Sequence, residues 1–380
     1  MILKDFSQNL IAELFKVIGA IGKEDMLKKV LIKTDVENKN VCLTCTDGNI
    51  QLNNVFLLNN DYSDSSTAGT VCVDAKTLMD VLKKLPKEKV VTIKSLDEDG
   101  IVTVSCGKFK NKLKTADIEL YPEIKSIDKT KTVVLPSKTV SALLDKMKFC
   151  IASDSYRAFL RGANIEVDGC NLKITTADGH LLSTVSTVID NDNEPFSFIL
   201  PKRGIDALIP ILDEADNDVE LSVSKNAVVV ISGGITYTSL IIDLDYPNVS
   251  SLFNFAKTRR VVINRIELIE AIKRAIITSN NLNRAISLTV NNKEFIINSK
   301  NHLGEQSEES LDYICFNGDN FTIAFNGEFL LNILSRFTTD NVVISGSEKS
   351  NNMIFEADIS NIEKPSPADT INYIVSRVVI

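Results

Sequence analysis

The chain has 380 residues, 44% of them hydrophobic and 24% charged, and carries a formal net charge of −8. That length is too great for one ordinary core and predicts two or three domains. No stretch approaches the ~20 apolar residues of a membrane span, and the acidic balance excludes a protein that holds nucleic acid by bulk charge alone.

The first residues, Met1-Ile2-Leu3-Lys4-Asp5, show no basic region followed by an apolar run, which predicts no secretory signal and a cytoplasmic location. A helix is predicted from Ser7, a capping residue, with apolar positions at 10, 11, 14, 17 and 18. Cys42 and Cys45 form a CxxC inside a strand-like run. Residues three apart on a strand face opposite ways, so this pair is not expected to share a metal. With seven cysteines at irregular spacing, reduced thiols are expected. A short helix follows from Asp74, then the strand Val90–Ile93. Gly107-Lys108-Phe109 is not a phosphate loop, because Gly100 stands seven residues before Gly107 and no Ser or Thr follows the lysine.

The same pattern then returns twice. Long helices are predicted from Ser137 (Val140, Leu143, Leu144 and Met147 on the buried face) and from Asn264 (Leu268, Ile269, Ile272 and Ile276). Shorter ones begin at Pro201 and Asn326, and Tyr121-Pro122 returns as Tyr246-Pro247. The three markers share one period of 125 to 130 residues. Val/Ile/Thr-rich runs such as 171–175, 227–231 and 293–297, separated by Asp/Asn/Gly turns, predict antiparallel strands. Each unit reads strand–helix–three strands–helix–three strands, with boundaries at 1–128, 129–254 and 255–380. The fold class is α+β, two helices packing on one face of each antiparallel sheet.

Local sequences then bring in a resemblance. Thr176-Ala177-Asp178-Gly179-His180-Leu181-Leu182 resembles the TDGHRL hairpin of the bacterial DNA polymerase III β-subunit family, the sliding clamps. Phe159-Leu160-Arg161-Gly162 resembles its YLNG, Leu200-Pro201-Lys202-Arg203-Gly204 its VPRKG, and the strand from Tyr373 to Ile380 its YVVMPMRL-like ending. The resemblance covers essentially the whole chain. It implies three clamp domains per chain and a head-to-tail homodimer, a six-domain ring lined by twelve helices. The implied function is a DNA processivity factor that encircles double-stranded DNA without reading sequence. It tethers the DNA polymerase III catalytic subunit, the clamp loader, and other clamp-binding polymerases and repair proteins. No membrane, cofactor, metal or catalytic residue is expected. Net acidity does not oppose this, since the screening length is ~8 Å and DNA feels only the residues lining its path.

Site residues are implied by position. The partner-peptide cleft would use Leu160, Ala177, Gly179, His180, Leu181, Leu182, Pro247 and Leu252, then Ile374, Ser376, Val378, Val379 and Ile380, with Ser350 and Asn352 nearby. DNA would meet Lys23, Lys76, Lys83, Lys84, Lys138, Lys146, Lys148, Arg157, Phe159, Lys202, Arg203, Arg265, Lys273 and Arg274. At the subunit contact, Asn111 and Leu113 on an edge strand would meet Ile277 and Thr278. The chain departs from the family at Leu181, Ser376 and Val379, where an arginine, a methionine and an arginine are usual. Ala158 and Phe159 replace paired tyrosines, and Asn111 replaces an aromatic residue. His180 has only His302 as a fellow histidine and is expected to start a strand after the Asp178-Gly179 turn, not to catalyse. A repeat scaffold that binds proteins without encircling DNA is the competing reading, and a hydrolase built on Asp178 and His180 a distant third.

Overall fold

The computed structural model describes residues 1–96, 100–124, 130–348 and 350–378, with only the backbone given at 96, 191 and 192. Its described residues form antiparallel sheets and six α-helices: α1 (Ser7–Ile18), α2 (Ala75–Lys83), α3 (Ser137–Met147), α4 (Lys202–Glu214), α5 (Arg265–Ile277) and α6 (Gly327–Leu334). By compactness the chain divides into two units. The first is Met1–Lys138 with Arg203–Ile241, and the second Thr139–Lys202 with Ile242–Ile380. The compact units therefore do not follow the three sequence repeats.

Strand pairing explains the division. In the first unit one sheet runs Gly69–Asp74, Lys29–Asp35, Asn40–Thr46, Ile50–Leu57, Ile235–Leu240, Ala227–Ser232, Val219–Val223 and Lys131–Leu135. Its central joint pairs Ile50–Leu57 of the first repeat with Ile235–Leu240 of the second, Tyr237 opposite Leu52. Gly234 lies beside this joint at φ +84°, and a Cβ there would come within 2.7 Å of the Val55 carbonyl oxygen, so glycine is required. A second, four-stranded sheet runs Ile2–Phe6, Val90–Leu96, Ile101–Cys106 and Phe109–Lys114.

The second unit is built likewise. Its larger sheet runs Gly162–Ala177, Leu181–Pro201, Asn372–Ser376, Asn352–Ala357, Asn341–Gly346, Arg259–Asn264 and Cys315–Asn317. Here the second repeat joins the third, with Leu182 opposite Ile374. Its smaller sheet runs Gln306–Leu311, Phe295–Lys300, Ala285–Val290 and Phe321–Asn326.

The predicted three-plus-three strand count needs correction. A further strand leads into the second helix of the first repeat (Gly69–Asp74) and of the third (Phe321–Asn326). The third repeat also adds Cys315–Asn317. In the middle repeat one strand of 21 residues, Leu181–Pro201, runs unbroken into α4. A strand that ends directly in a helix cap has no turn residues to announce it.

Three of the predicted helix starts are capped as their sequence says. Asp74, Asn264 and Asn326 accept from backbone amides of α2, α5 and α6. Ser7 is not a cap. It lies inside α1, and its buried hydroxyl donates to the Leu82 carbonyl oxygen at 2.9 Å. The equivalent residues do the same: the Ser137 hydroxyl reaches the Asn217 carbonyl at 2.9 Å, and Arg265 Nε the Thr339 carbonyl at 2.6 Å. Each repeat thus ties the first residue of its first helix to a backbone carbonyl within its second helix or in the segment after it.

The cysteines are unpaired. Cys45 is buried and Cys42 half-buried on the strand Asn40–Thr46, burial raising both thiol pKa values. Among the described residues no group of three His, Cys, Asp or Glu could hold a metal ion. No described helix is long and apolar enough to cross a membrane.

Candidate functional site

In the second unit, residues far apart in sequence collect into one apolar cluster. Ala152, Leu160, Ala177, Leu182, Ile354 and Ile374 are its buried floor, and Phe159, Val249, Phe253 and Phe255 pack against it half-buried. Register places them: Leu182 and Ile354 both pair with Ile374, on either side of the strand Asn372–Ser376. Leu160 is fixed by its carbonyl accepting from Ala152 at 3.0 Å and its amide donating to Arg157 at 3.0 Å. Leu252, 40% exposed, and exposed Pro247 lie on the segment that carries Val249 and Phe253.

The hairpin at one end of this cluster is tight. Asp178 Oδ1 accepts from the His180 and Leu181 amides at 2.7 and 2.6 Å, and Gly179 has φ +102°. His180 therefore sits in the turn, and the strand starts at Leu181, one residue later than expected. The imidazole is exposed and lies against Phe329 of α6, ring centroids 6.1 Å apart, while its carbonyl accepts from the Ser376 amide at 2.9 Å. Leu181 is buried opposite Val375. Ser376 pairs with Asn352, whose amide and carbonyl both bond the Ser350 hydroxyl. Val378 donates its amide to the Ala324 carbonyl at 2.8 Å. Val379 and Ile380 lie outside the described residues.

So the structure brings Leu160, Ala177, Leu182 and Ile374 into one cluster, and places Gly179, His180, Leu181, Ser350, Asn352, Ser376 and Val378 on the strands and turns beside it. Sequence reasoning missed Phe253, Phe255 and Phe329. The first two were legible as aromatics just past the Tyr246-Pro247 marker. Phe329, on a short helix read only for its apolar face, gave no separate signal.

The basic residues divide sharply. Lys23, Lys76, Lys83 and Lys84, all in the first unit, are exposed and have no ion pair with a described residue. Arg157 is exposed over the ring of Tyr156, at 5.3 Å, and Tyr156 itself is 86% exposed. Lys202 is half-exposed at the start of α4. The others are engaged within the fold. Arg203 pairs with Asp47 at 3.2 Å and donates to the Gly19 and Ile21 carbonyls at 3.0 and 3.1 Å, closing the C-terminus of α1. Arg274 grips Glu309 with two bonds of 2.8 and 2.6 Å. That bond holds the Glu309 carboxyl below its ordinary pKa. Arg265 is bound to Thr339 as described above. Lys273 pairs with Glu270 and Lys148 with Asp145, Lys138 donates to the Asp213 carbonyl, and burial lowers the pKa of half-buried Lys146, facing Asp369 and Arg336. Phe159 is half-buried in the apolar cluster, edge-on to Tyr246 at 5.7 Å. Phe159, Arg203, Arg265 and Arg274, all expected at the DNA, thus each have a partner within the fold.

At the predicted subunit contact, Phe109–Lys114 and Gln306–Leu311 are both sheet edges. The first exposes Lys110, Lys112 and Lys114; the second exposes Glu308, with Glu305 just before it. Ile277, the last residue of α5, is 79% exposed, whereas Leu113 is only 9% exposed and belongs to the core of its own unit. Asn111 is half-buried. The Thr278 hydroxyl bonds Ser299 at 2.7 Å, and Ser299 bonds Ser307 on the edge strand at 3.0 Å.

Three family models match this chain in succession. Residues 6–125 match the N-terminal domain of the DNA polymerase III beta subunit, 134–248 its central domain and 251–360 its C-terminal domain. The beta sliding clamp of Pseudomonas aeruginosa is 28% identical over 354 residues, 92% of this chain and 94% of that protein. That of Vibrio cholerae is 26% identical over 351 residues, 92% and 93%. A crystal structure of the DNA polymerase sliding clamp from Pseudomonas aeruginosa superposes with a TM-score of 0.91 at 25% identity, covering 100% of both chains.

Proposed function

We propose, since the chain belongs to the DNA polymerase III beta subunit family and functions as a DNA sliding clamp, that two copies close head to tail around duplex DNA and hold partner proteins by peptides bound in the apolar cluster. In this reading its three domains divide at 1–128, 129–254 and 255–380. One observation carries the peptide cleft: Leu160, Ala177, Leu182 and Ile374 converge from four segments, with half-buried Phe159, Val249, Phe253 and Phe255 packed against them. An apolar floor with aromatic walls and two strand ends beside it is how a groove takes a short peptide by a few apolar anchors. A five- or six-residue peptide with Leu and Phe anchors should bind there at micromolar strength, about −8 kcal/mol.

Closure rests on two unpaired sheet edges of opposite charge. Lys110, Lys112 and Lys114 on one edge suit Glu305 and Glu308 on the other, and a cyclic head-to-tail contact leaves neither edge open. Lys23, Lys76, Lys83, Lys84, Lys202 and Arg157 are the proposed DNA-facing cations. They touch phosphates and read no bases, which suits a protein that has to move along DNA. The polymerase catalytic subunit, the clamp loader and repair proteins are the proposed partners. The deciding experiment is retention: the protein, loaded on a nicked circle, stays bound until the circle is cut and then runs off the ends. A protein lost equally fast from circles and linear DNA is instead a scaffold that does not encircle it.

A further inference from the structure

Arg259 opens the strand Arg259–Asn264, and Arg377 follows the last described strand of the second unit. Both line a cavity of about 410 Å³, together with Phe321 and Thr322, and with Ser350 and Val378 of the proposed cleft. The two arginines differ from Arg203, Arg265 and Arg274. Arg203 and Arg274 have carboxylate partners and Arg265 a carbonyl, but neither Arg259 nor Arg377 has an acidic partner among the described residues. The Arg259 guanidinium lies over the Phe321 ring, 5.5 Å from its centre, and its Nε is buried with no hydrogen-bond acceptor among the described residues. Glu348 is the acidic residue of the lining, and it is exposed. A buried charged donor without an acceptor is costly, and an arriving anion relieves that cost.

We propose that this cavity binds the carboxylate of an acidic residue flanking the apolar anchors of the partner peptide. The inference rests on the cleft reading, because Ser350 and Val378 of the proposed cleft also line the cavity, and Met353 of its wall adjoins Ile354 of the apolar cluster. The outer strand Phe321–Asn326 offers such an extended chain a sheet edge, one carbonyl of which, that of Ala324, already accepts from Val378. Two cations and hydroxyl groups at the wall favour a carboxylate over a further apolar side chain.

The test uses the full-length dimer and three labelled peptides with the same Leu and Phe anchors: one with neutral flanks, one with glutamate before the anchors, one with glutamate after them. One of the two acidic peptides should bind about tenfold tighter than the neutral one. Arg377→Gln, a change at an exposed position after the last strand, should abolish that gain and leave the neutral peptide's affinity unchanged. Arg259→Gln should do the same, with its melting curve as the control for folding. If glutamate on neither flank improves binding, or if the gain survives Arg377→Gln, the cavity is not a carboxylate site and the cleft stands. Failure of all three peptides on the unaltered protein overturns the cleft and this inference with it. Binding of inorganic phosphate to the cavity, with no gain from peptide glutamate, reassigns it to a phosphate and overturns the proposal.

Discussion

Ile277→Asp should turn the dimer into folded monomers. Ile277 ends α5 and is 79% exposed in the single chain, so an aspartate there disturbs no internal packing and should leave the melting temperature of the monomer unchanged. Covering an isoleucine of that exposure in a subunit contact contributes on the order of 1.5–3 kcal/mol. A carboxylate in its place forfeits that burial, while Lys112 and Lys114 of the facing edge offset part of its own desolvation. The lost burial alone predicts a dimer weakened by about tenfold to a hundredfold. Glu308, exposed on the neighbouring edge strand, adds repulsion. Sedimentation velocity across a concentration series reads the dissociation constant directly. Leu113→Asp is a poor companion, because Leu113 is a core residue of its own unit and its loss would unfold what is being weighed. A dissociation constant for Ile277→Asp equal to that of the unaltered protein would remove the end of α5 from the interface.

Leu252→Ala should weaken an anchor peptide by about tenfold, on the order of 1–2 kcal/mol, without lowering the melting temperature, because the side chain is 40% exposed; isothermal calorimetry decides. Changing Lys76, Lys83 and Lys84 together to Glu should speed loss from nicked circles and flatten its dependence on salt, by up to about 0.9 in slope for each phosphate contact removed. Equal loss rates would take α2 off the DNA path. Arg203→Ala should lower the melting temperature, by roughly 1–2 kcal/mol of stability after allowing for its partial exposure, because the Gly19 and Ile21 carbonyls just past α1 and the Asp47 carboxylate lose a donor. It should leave retention on circles unchanged, and a clear loss of retention would restore Arg203 to the DNA surface.

Most of the fold could be read from residues three and four apart and from turn chemistry. Asp74, Asn264 and Asn326 marked their helix starts because a short polar side chain at that position has one dominant use. Ser7 misled for a related reason: the residue type fitted a cap, but burial diverted its hydroxyl to a carbonyl more than seventy positions along the chain, a tie that Ser137 repeats. Such long-range ties leave no periodic trace. The compact units were likewise invisible, because they depend on which strand of the second repeat pairs with Ile50–Leu57 and which with Asn372–Ser376. At the proposed cleft, position relative to the family motifs pointed to Leu160 and Leu182, which the fold gathers into one cluster. It could not distinguish free cations from engaged ones, since Arg274 and Lys76 look alike until Glu309 is seen beside the first.

The engagement of the arginines bears on how such a ring would travel. An arginine fork grips a phosphate bidentately in a fixed geometry, whereas a lysine is a hydrated point charge on a flexible stem. A surface of forks would meet the phosphates as a series of wells, one for each backbone step. With Arg203 and Arg274 paired to carboxylates and Arg265 held through Nε, the charges at the proposed DNA face are chiefly lysines, with Arg157 lying over Tyr156. The potential felt along the helix axis is then shallow and smeared, with low barriers between successive positions. Diffusion of the ring on DNA should accordingly be limited by the drag of the solvent more than by its own contacts.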